Sequence, residues 1–426
     1  MAIAILFGVL LVLLVMGVPV GFALIAAALA TVLYLDLPAI VVVQQTAAGA
    51  GITSLLAIPL FIFAGEMMMR GGISDRLIAL AASLVGHLRG GLGQVNVLAS
   101  LFFGGVSGSA IADVSAIGGT MIPQMVNRGY DRDFAVNVSI SAAIVALLVP
   151  PSHNLILYSA AAGGSISIAD LFAAGIVPAL LLTAVLMITG WMIARRRGYG
   201  TEAFPGLREV VRRFIAALPG LLLVALIFIG IRAGIFTAIE SASIAVIYAV
   251  LVTGVVYRRL TLEVFLQTCI GAVRTTGLIL FIIGAAASFG WLLAYLEVPA
   301  AAVDFLTGIS ENKNVLLLLM VLLLFALGTF MDLAPLIIIC TPIFLPIAKA
   351  IGVDPVHFGV ILILTGGIGL ITPPVGSVLF VGTAIGKISV TETLRTIWPF
   401  YLATLAVLFI VTFVPILSLW LPALIK

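Results

Sequence analysis

Charge is what this chain of 426 residues most lacks: Asp, Glu, Lys and Arg together make up 9% of it, and no basic residue precedes Arg70. No polar block is long enough to fold separately, so a soluble domain is excluded. Without a charged leader the apolar N-terminus reads as a first membrane segment, not a cleavable signal. Only two cysteines occur, Cys269 and Cys340, far apart and in apolar surroundings. They support neither a disulfide framework nor a metal cluster, and read as small buried hydrophobes. The three histidines form no His-Glu-x-x-His motif. The apolar runs do not alternate with polar residues, which excludes a β-barrel. The formal charge of +3 and pI near 9.0 are accounted for by basic loops at a cytoplasmic membrane face, so nucleic acid is not an expected partner.

What is present is hydrophobic residue, 63% of the chain with a mean hydropathy of +1.35. The fold class expected is an all-α polytopic membrane protein in a lipid bilayer, with about ten or eleven spans of roughly 20 residues. Two runs, 2–16 and 20–35, flank Gly17-Val-Pro19 and are short for full spans. With Arg70 placed inside, parity puts 16 of the 20 basic residues inside and leaves Arg232, Lys313, Lys349 and Lys426 outside. Both termini are then outside.

Polar interruptions break this pattern at four places. Residues 94–127 carry Gly104-Gly105 and Ser107-Gly108-Ser109, and residues 315–348 carry Gly328-Thr329. Both stretches read as re-entrant hairpins with tips at those residues. Pro150-Pro151 and Pro373-Pro374 break two crossings, 134–162 and 358–386. Irregular backbone at membrane depth is tolerated only where it lines a cavity or is buried in protein. The halves also repeat. Asp113 and Asp332 lie 219 residues apart, as do Pro123 and Pro342, while the Pro-Pro pairs are 223 apart and Ile166-Ser-Ile-Ala-Asp170 matches Ile388-Ser-Val-Thr-Glu392 at 222. Opposed hairpins imply inverted topology, the architecture of secondary transporters.

Each Pro-Pro pair removes two amide donors, releasing carbonyls on one side and a half-helix N-terminus on the other. Carbonyls and hydroxyls suit a hard cation such as Na+. The first cation site is assigned to Ser107, Gly108 and Ser109 with the backbone near Pro150, and the second to Gly328 and Thr329 with the turn from Thr372 to Gly376. Small residues that merely let helices pack closely would give the same composition. Asp113 and Asp332 either neutralise the ion directly or cap and support the tips. Ser152, Asn154 and Ser377 are assigned to a polar-solute site between the repeats; His153 either joins them or is a buried histidine bonded to a carbonyl. Glu240 either caps its helix or pairs with Arg232, and Glu66 pairs locally near the inner interface with Arg70 at hand.

On Gly104-Gly-Val-Ser-Gly-Ser-Ala-Ile-Ala-Asp113, Val149-Pro-Pro-Ser152, Gly234-Ile-Phe-Thr237 with Glu240, Val356-His-Phe-Gly359 and Leu370-Ile-Thr-Pro-Pro-Val-Gly376, the chain resembles the large membrane subunit of tripartite ATP-independent periplasmic (TRAP) transporters. The resemblance runs nearly end to end. It implies a Na+-driven importer of a small organic acid, a carboxylate or sugar acid, with an elevator motion of a transport domain against a scaffold. It also implies two partners, a small four-helix membrane subunit and a periplasmic substrate-binding protein, and no organic cofactor. Two departures stand out: Thr365-Gly-Gly-Ile-Gly369 before the second Pro-Pro pair, where relatives commonly have asparagine, and Ser152-His-Asn154 after the first. The domains expected are 1–70, N-terminal scaffold helices; 71–194, the first repeat; 195–275, an Arg-rich connector with scaffold helices; and 276–426, the second repeat. The rival reading is an intramembrane enzyme using Asp113 and Asp332 as a dyad.

Overall fold

The computed structural model describes residues 1–201, 203–310 and 312–424. Lys426, placed outside by the parity argument, falls beyond the described residues. In chain order the helices are α1 (Ala2–Val15), α2 (Val20–Tyr34), α3 (Ile40–Ala50), α4 (Ala57–Arg70), α5 (Ile73–Val85), α6 (Gly91–Ser107), α7 (Ala110–Asp113) and α8 (Gly119–Asn127). There follow α9 (Arg132–Ala142), α10 (His153–Ala161), α11 (Ile168–Arg196), α12 (Leu207–Arg232), α13 (Ala238–Leu251), α14 (Leu262–Tyr295) and α15 (Val298–Ile309). The last are α16 (Lys313–Phe330), α17 (Leu333–Ala350), α18 (Pro355–Gly369), α19 (Ser377–Gly386), α20 (Val390–Thr396), α21 (Trp398–Phe413) and α22 (Ile416–Leu424).

Among the described residues six helices are long and apolar enough to cross a membrane, or eight if each of two bent pairs counts as one. The other apolar runs behind the expected ten or eleven spans are shorter helices, for a local reason. The first two apolar runs are helices of 14 and 15 residues joined at Gly17 (φ +79°), and the third is an 11-residue helix broken from α4 by the 3-10 turn Thr53–Leu56. At 1.5 Å per residue each is about 16–23 Å long, short of a hydrocarbon core of about 30 Å. At the other end, the apolar stretch of α21 and α22 bends by 59° at Val414-Pro415, where proline removes a backbone donor. The 34-residue α14 starts well before the expected residue 276, because Thr261 caps it by accepting from Val264 N.

These parts sort into two kinds of packing. α14 lies along α2, α3 and α4, and α13 packs on α4. The hairpin of α6 with α7 and α8 packs on α9, α16 and α17 pack on α18, and α11 runs behind against α6, α18, α21 and α22. The halves meet where Gly359 lets the Tyr158 ring lie on the α18 backbone, a β-carbon there falling 2.4 Å from Tyr158 Cε1, and where Tyr158 Oη donates to Pro355 O at 2.7 Å.

The element bounds sharpen the repeat. The first hairpin arms end at Ser107 and Phe330, the return arms start at Ala110 and Leu333 and end at Asn127 and Ala350, and the broken helices start at Arg132 and Pro355. Every pair is 223 apart, the Pro-Pro offset. In this register the counterpart of Asp332 is Ser109 and not Asp113, which corrects the 219 pairing. The reason is capping: Ser109 Oγ accepts from Ala112 N at 3.3 Å and Asp332 Oδ1 from Leu333 N at 3.0 Å, each at the start of a return arm. The second tip also moves. Helix α16 continues through Gly328 and Thr329 to Phe330, so the turn is Met331-Asp332. Only the first return arm is irregular, with a π-turn over Val114–Gly118 between α7 and α8.

Candidate functional site at two hairpin tips and two helix breaks

Each hairpin end is seated on the neighbouring break. At the first, β-carbons on Gly104, Gly105 and Gly108 would fall 2.7 Å from Ala146 Cα, 3.1 Å from Pro150 O and 3.1 Å from Pro151 O, so glycine alone permits the approach. Gly108 is also left-handed (φ +60°), a conformation that reverses the chain there. Asn154 Nδ2 then donates to Gly108 O at 2.9 Å, tying the break to the tip. At the second, a β-carbon on Gly369 would lie 2.5 Å from Gly328 C. Val375 N donates to Thr329 O at 3.1 Å, and Ser377 Oγ donates to Asp332 Oδ1 at 3.3 Å. Asn154 and Ser377 are themselves 223 apart, so one register position fastens both pairs.

Hydroxyls and carbonyls are divided between framework and open surface. Thr329 Oγ1 donates to Ala326 O at 2.7 Å and Thr372 Oγ1 to Ile368 O at 2.8 Å, so both hydroxyls complete their own helix ends. Ser107 Oγ accepts from Ser109 N at 3.4 Å. Gly376, left-handed at φ +31°, opens α19 and sits over Thr372 O. The structure thus brings Ser107 and Gly108, with Ser109 next to them, to Pro151 and His153 at one end, while Pro150 O faces Gly105; at the other end Gly328 and Thr329 meet Gly369 and Val375, next to Gly376, which sits over Thr372 O.

Between the two lies a cavity of about 590 Å³. Ser107, Ser109, Ser115, His153 and Asn154 line it from the first half, Asp332, Pro335 and Leu370 from the second, and Glu66, Met69, Thr275 and Ile279 from α4 and α14. It can hold a small polar solute with apolar walls on one side and acceptors and donors on the other. His153 is at the wall and its ring lies beside the Ser107 backbone. Ser377 reaches the cavity through Asp332.

Two assignments change and one open alternative is decided. Ser152 is fully buried and its Oγ donates to Leu147 O at 2.7 Å, satisfying a carbonyl released by the break, so it is not at the cavity wall. Asp113 does not cap the return arm, since Ser109 does; it is 1% exposed behind the wall, with Ser100 Oγ donating to its Oδ2 at 2.7 Å. It therefore forms no dyad with Asp332, which faces the cavity. Arg232 pairs not with Glu240 but with Asp170 at 2.7 Å, and Glu240 closes a capping box with Thr237. Glu66 pairs with Arg70 at 3.3 Å as expected, yet it lines the cavity, as do Thr275 and Ser115. Sequence carried no sign of those two, because their place depends on how α14 and the return arm pack.

Comparison with known proteins shows the family. Residues 7–417 match the family model of the tripartite ATP-independent periplasmic transporter, DctM component. The chain is 39% identical over 409 residues to the sialic acid TRAP transporter large permease protein SiaM of Vibrio cholerae, covering 96% of this chain and 95% of the relative. It is 35% identical over 435 residues to the C4-dicarboxylate TRAP transporter large permease protein DctM of Rhodobacter capsulatus, covering 99% of each. The YdaH transporter of Alcanivorax borkumensis shares the fold, with a TM-score of 0.62 at 17% identity over 90% of this chain and 87% of that one. This chain belongs to the TRAP transporter large permease family: it is a multi-pass membrane transporter subunit and not an enzyme.

Proposed function

We propose that this subunit forms the membrane pathway of a Na+-coupled importer of a small organic acid, a carboxylate or sugar acid, handed over by a periplasmic binding protein. The single observation that carries it is the cavity of about 590 Å³ bounded by both hairpin ends and both breaks in one 223-residue register. Na+ sits at each tip and break, held by Ser107, Gly108, Ser109 and the Pro150 carbonyl at one and by Gly328, Thr329, Thr372 and Gly376 at the other. At the second, Thr329 and Thr372 offer oxygen lone pairs, since a hydroxyl that donates its hydrogen to the helix keeps its oxygen free to meet a cation. Asp332, Asn154, His153 and Ser377 hold the acid, and the ions offset the negative charge of Asp332 that would otherwise repel it.

The tips, breaks and α11 move as the transport unit, against a scaffold of α1–α4 and α12–α14 enlarged by a small four-helix subunit. The two repeats have inverted topology, so motion exposes the cavity to each side in turn. In the inner membrane the connector faces the cytoplasm and both termini the periplasm. Labelling of Gly200→Cys from the inside alone is the expected result.

The deciding experiment is reconstitution of the three components in liposomes with labelled acid, with and without an inward Na+ gradient. Uptake that follows the gradient, and whose Na+ dependence weakens in Ser109→Ala, supports the reading. Uptake indifferent to Na+ removes it.

A further inference from the structure

Behind the cavity wall, at the seam between α6, the π-turn and α9, two buried side chains each keep one oxygen without a partner. Asp113 is 1% exposed: its Oδ2 accepts from Ser100 Oγ at 2.7 Å, and its Oδ1 has no partner. Asn96 is 0% exposed: its Nδ2 donates to Ser139 Oγ, and its Oδ1 has no partner. Asn96 and Ser100 are one turn apart on the same face of α6, so both bonds cross into one seam.

Both serine hydroxyls there are spent. Ser100 Oγ–H goes to Asp113, and Ser139 Oγ–H goes to Ala135 O at 2.7 Å. The charged groups of α9 lie at its start and are engaged elsewhere: Asp133 with Arg197 at 2.7 Å, and Arg132 with the Gly386 carbonyl at 3.4 Å. A buried carboxylate with an unmet oxygen in a membrane segment is costly unless something positive joins it. Unmet oxygens, one anionic and one neutral, are a ligand set for a hard monovalent cation.

The second half shows that the fold does not require this cluster. At 223 residues on, Asn96, Ser100, Asp113 and Ser139 become Leu319, Leu323, Leu336 and Leu362. Of the two return arms only the first carries a π-turn, beside Asp113, where a widened turn reshapes the backbone; the other π-turn among the described residues, Val252–Val256, follows α13, outside both hairpins.

We propose that Asp113 and Asn96 hold a further Na+ in the first half only, separate from the two tip-and-break ions, so that the pathway binds one more Na+ than it has Pro-Pro breaks. The proposal rests on the sodium-coupled reading for the identity of the ion alone.

The test counts ²²Na+ bound per purified wild-type complex, then per Asp113→Asn, per Asn96→Leu and per Asp113→Asn combined with Ser109→Ala, with charge moved per acid recorded in liposomes. Asn96→Leu installs the residue of the matching position, but Leu319 is only half-buried there, so the thermal midpoint of each variant is recorded beside its count to exclude a folding failure. The expected result is one Na+ fewer in each single variant, a second lost in the combination, and one charge fewer moved per acid. Unchanged counts in both single variants overturn the site. So does an unchanged count in which Asp113→Asn instead abolishes a pH dependence of uptake, since Asp113 then carries a proton. A wild-type complex that binds no Na+ fails the functional reading itself.

Discussion

The two halves share one frame and differ in what fills it. Their helix ends coincide at a 223-residue offset from hairpin to broken helix, and both clasp tip to break from position 154 or 377. Between those fixed points the first half is polar inside, with Asn96, Ser100, Asp113 and Ser139, while the second is leucine at every matching position. Geometry common to both halves therefore belongs to the mechanics of hairpin and break. What only one half has is free to serve chemistry.

The largest effect should come from the shared frame. Gly369→Ala puts a β-carbon 2.5 Å from Gly328 C, and Gly104→Ala one 2.7 Å from Ala146 Cα; backbone opposes backbone in both, and neither can yield cheaply. Overpacking of this kind costs about 1–3 kcal/mol. Both variants should lose most uptake together with several degrees of thermal midpoint in detergent. If one is silent, the halves are not equally built around their crossings, and the common-frame reading breaks.

The twin caps come next, and here the halves should part. Ser109 and Asp332 both cap return arms, and loss of either cap costs about 1 kcal/mol. Asp332 also brings charge to the cavity and an acceptor to Ser377. Asp332→Asn keeps a capping oxygen and removes the charge, so it should leave the melting temperature nearly unchanged while uptake falls at least tenfold. Full uptake in Asp332→Asn would reduce Asp332 to a cap like its twin.

Much of this frame was legible in sequence, and the exceptions have physical causes. Pro-Pro pairs and glycine tips announce themselves because they forbid helix, so breaks and hairpins could be read from residue type alone. Short helices at the N-terminus could not be told from spans, since hydropathy measures apolarity and not where a 15-residue run turns back. Asp113 and Asp332 were paired because both are aspartates ten residues before a proline; Pro346 stands at the true register of Pro123, and only the caps reveal it. Ser152 looked like a ligand because it is polar at a break. Which way its hydroxyl turns depended on Leu147 O, whose helical partner the break removes.

The clasp offers a finer comparison. Asn154→Ala leaves Gly108 O unpaired, a loss of about 1–2 kcal/mol, whereas Ser377→Ala leaves Asp332 Oδ1 still bonded to Leu333 N. Half-saturating Na+ for uptake should therefore rise more in Asn154→Ala than in Ser377→Ala. The reverse order would mean that the second clasp, not the first, sets the geometry of the proposed ion site beside it.

The smallest difference lies beyond the breaks, where Ser167-Ile-Ala-Asp170 and Ser389-Val-Thr-Glu392 open matching helices. Each serine accepts from the amide three residues on, at 3.2 Å. Glu392 returns the bond to Ser389 in a capping box on an exposed turn, so Glu392→Ala should shift the thermal midpoint barely beyond scatter. Asp170 instead reaches Arg232 on α12 at 2.7 Å, with the two side chains 21% and 12% exposed, and Arg232 continues to Pro422 O at 3.0 Å. Asp170→Ala would leave a half-buried guanidinium without its anion, at a cost of about 2 kcal/mol after allowance for partial exposure. Arg232→Met fills the space without the charge, so in the Asp170→Ala background it should recover part of the loss. That recovery would show the first half anchored to α12 by a charge pair for which the second half, with its exposed glutamate, has no counterpart.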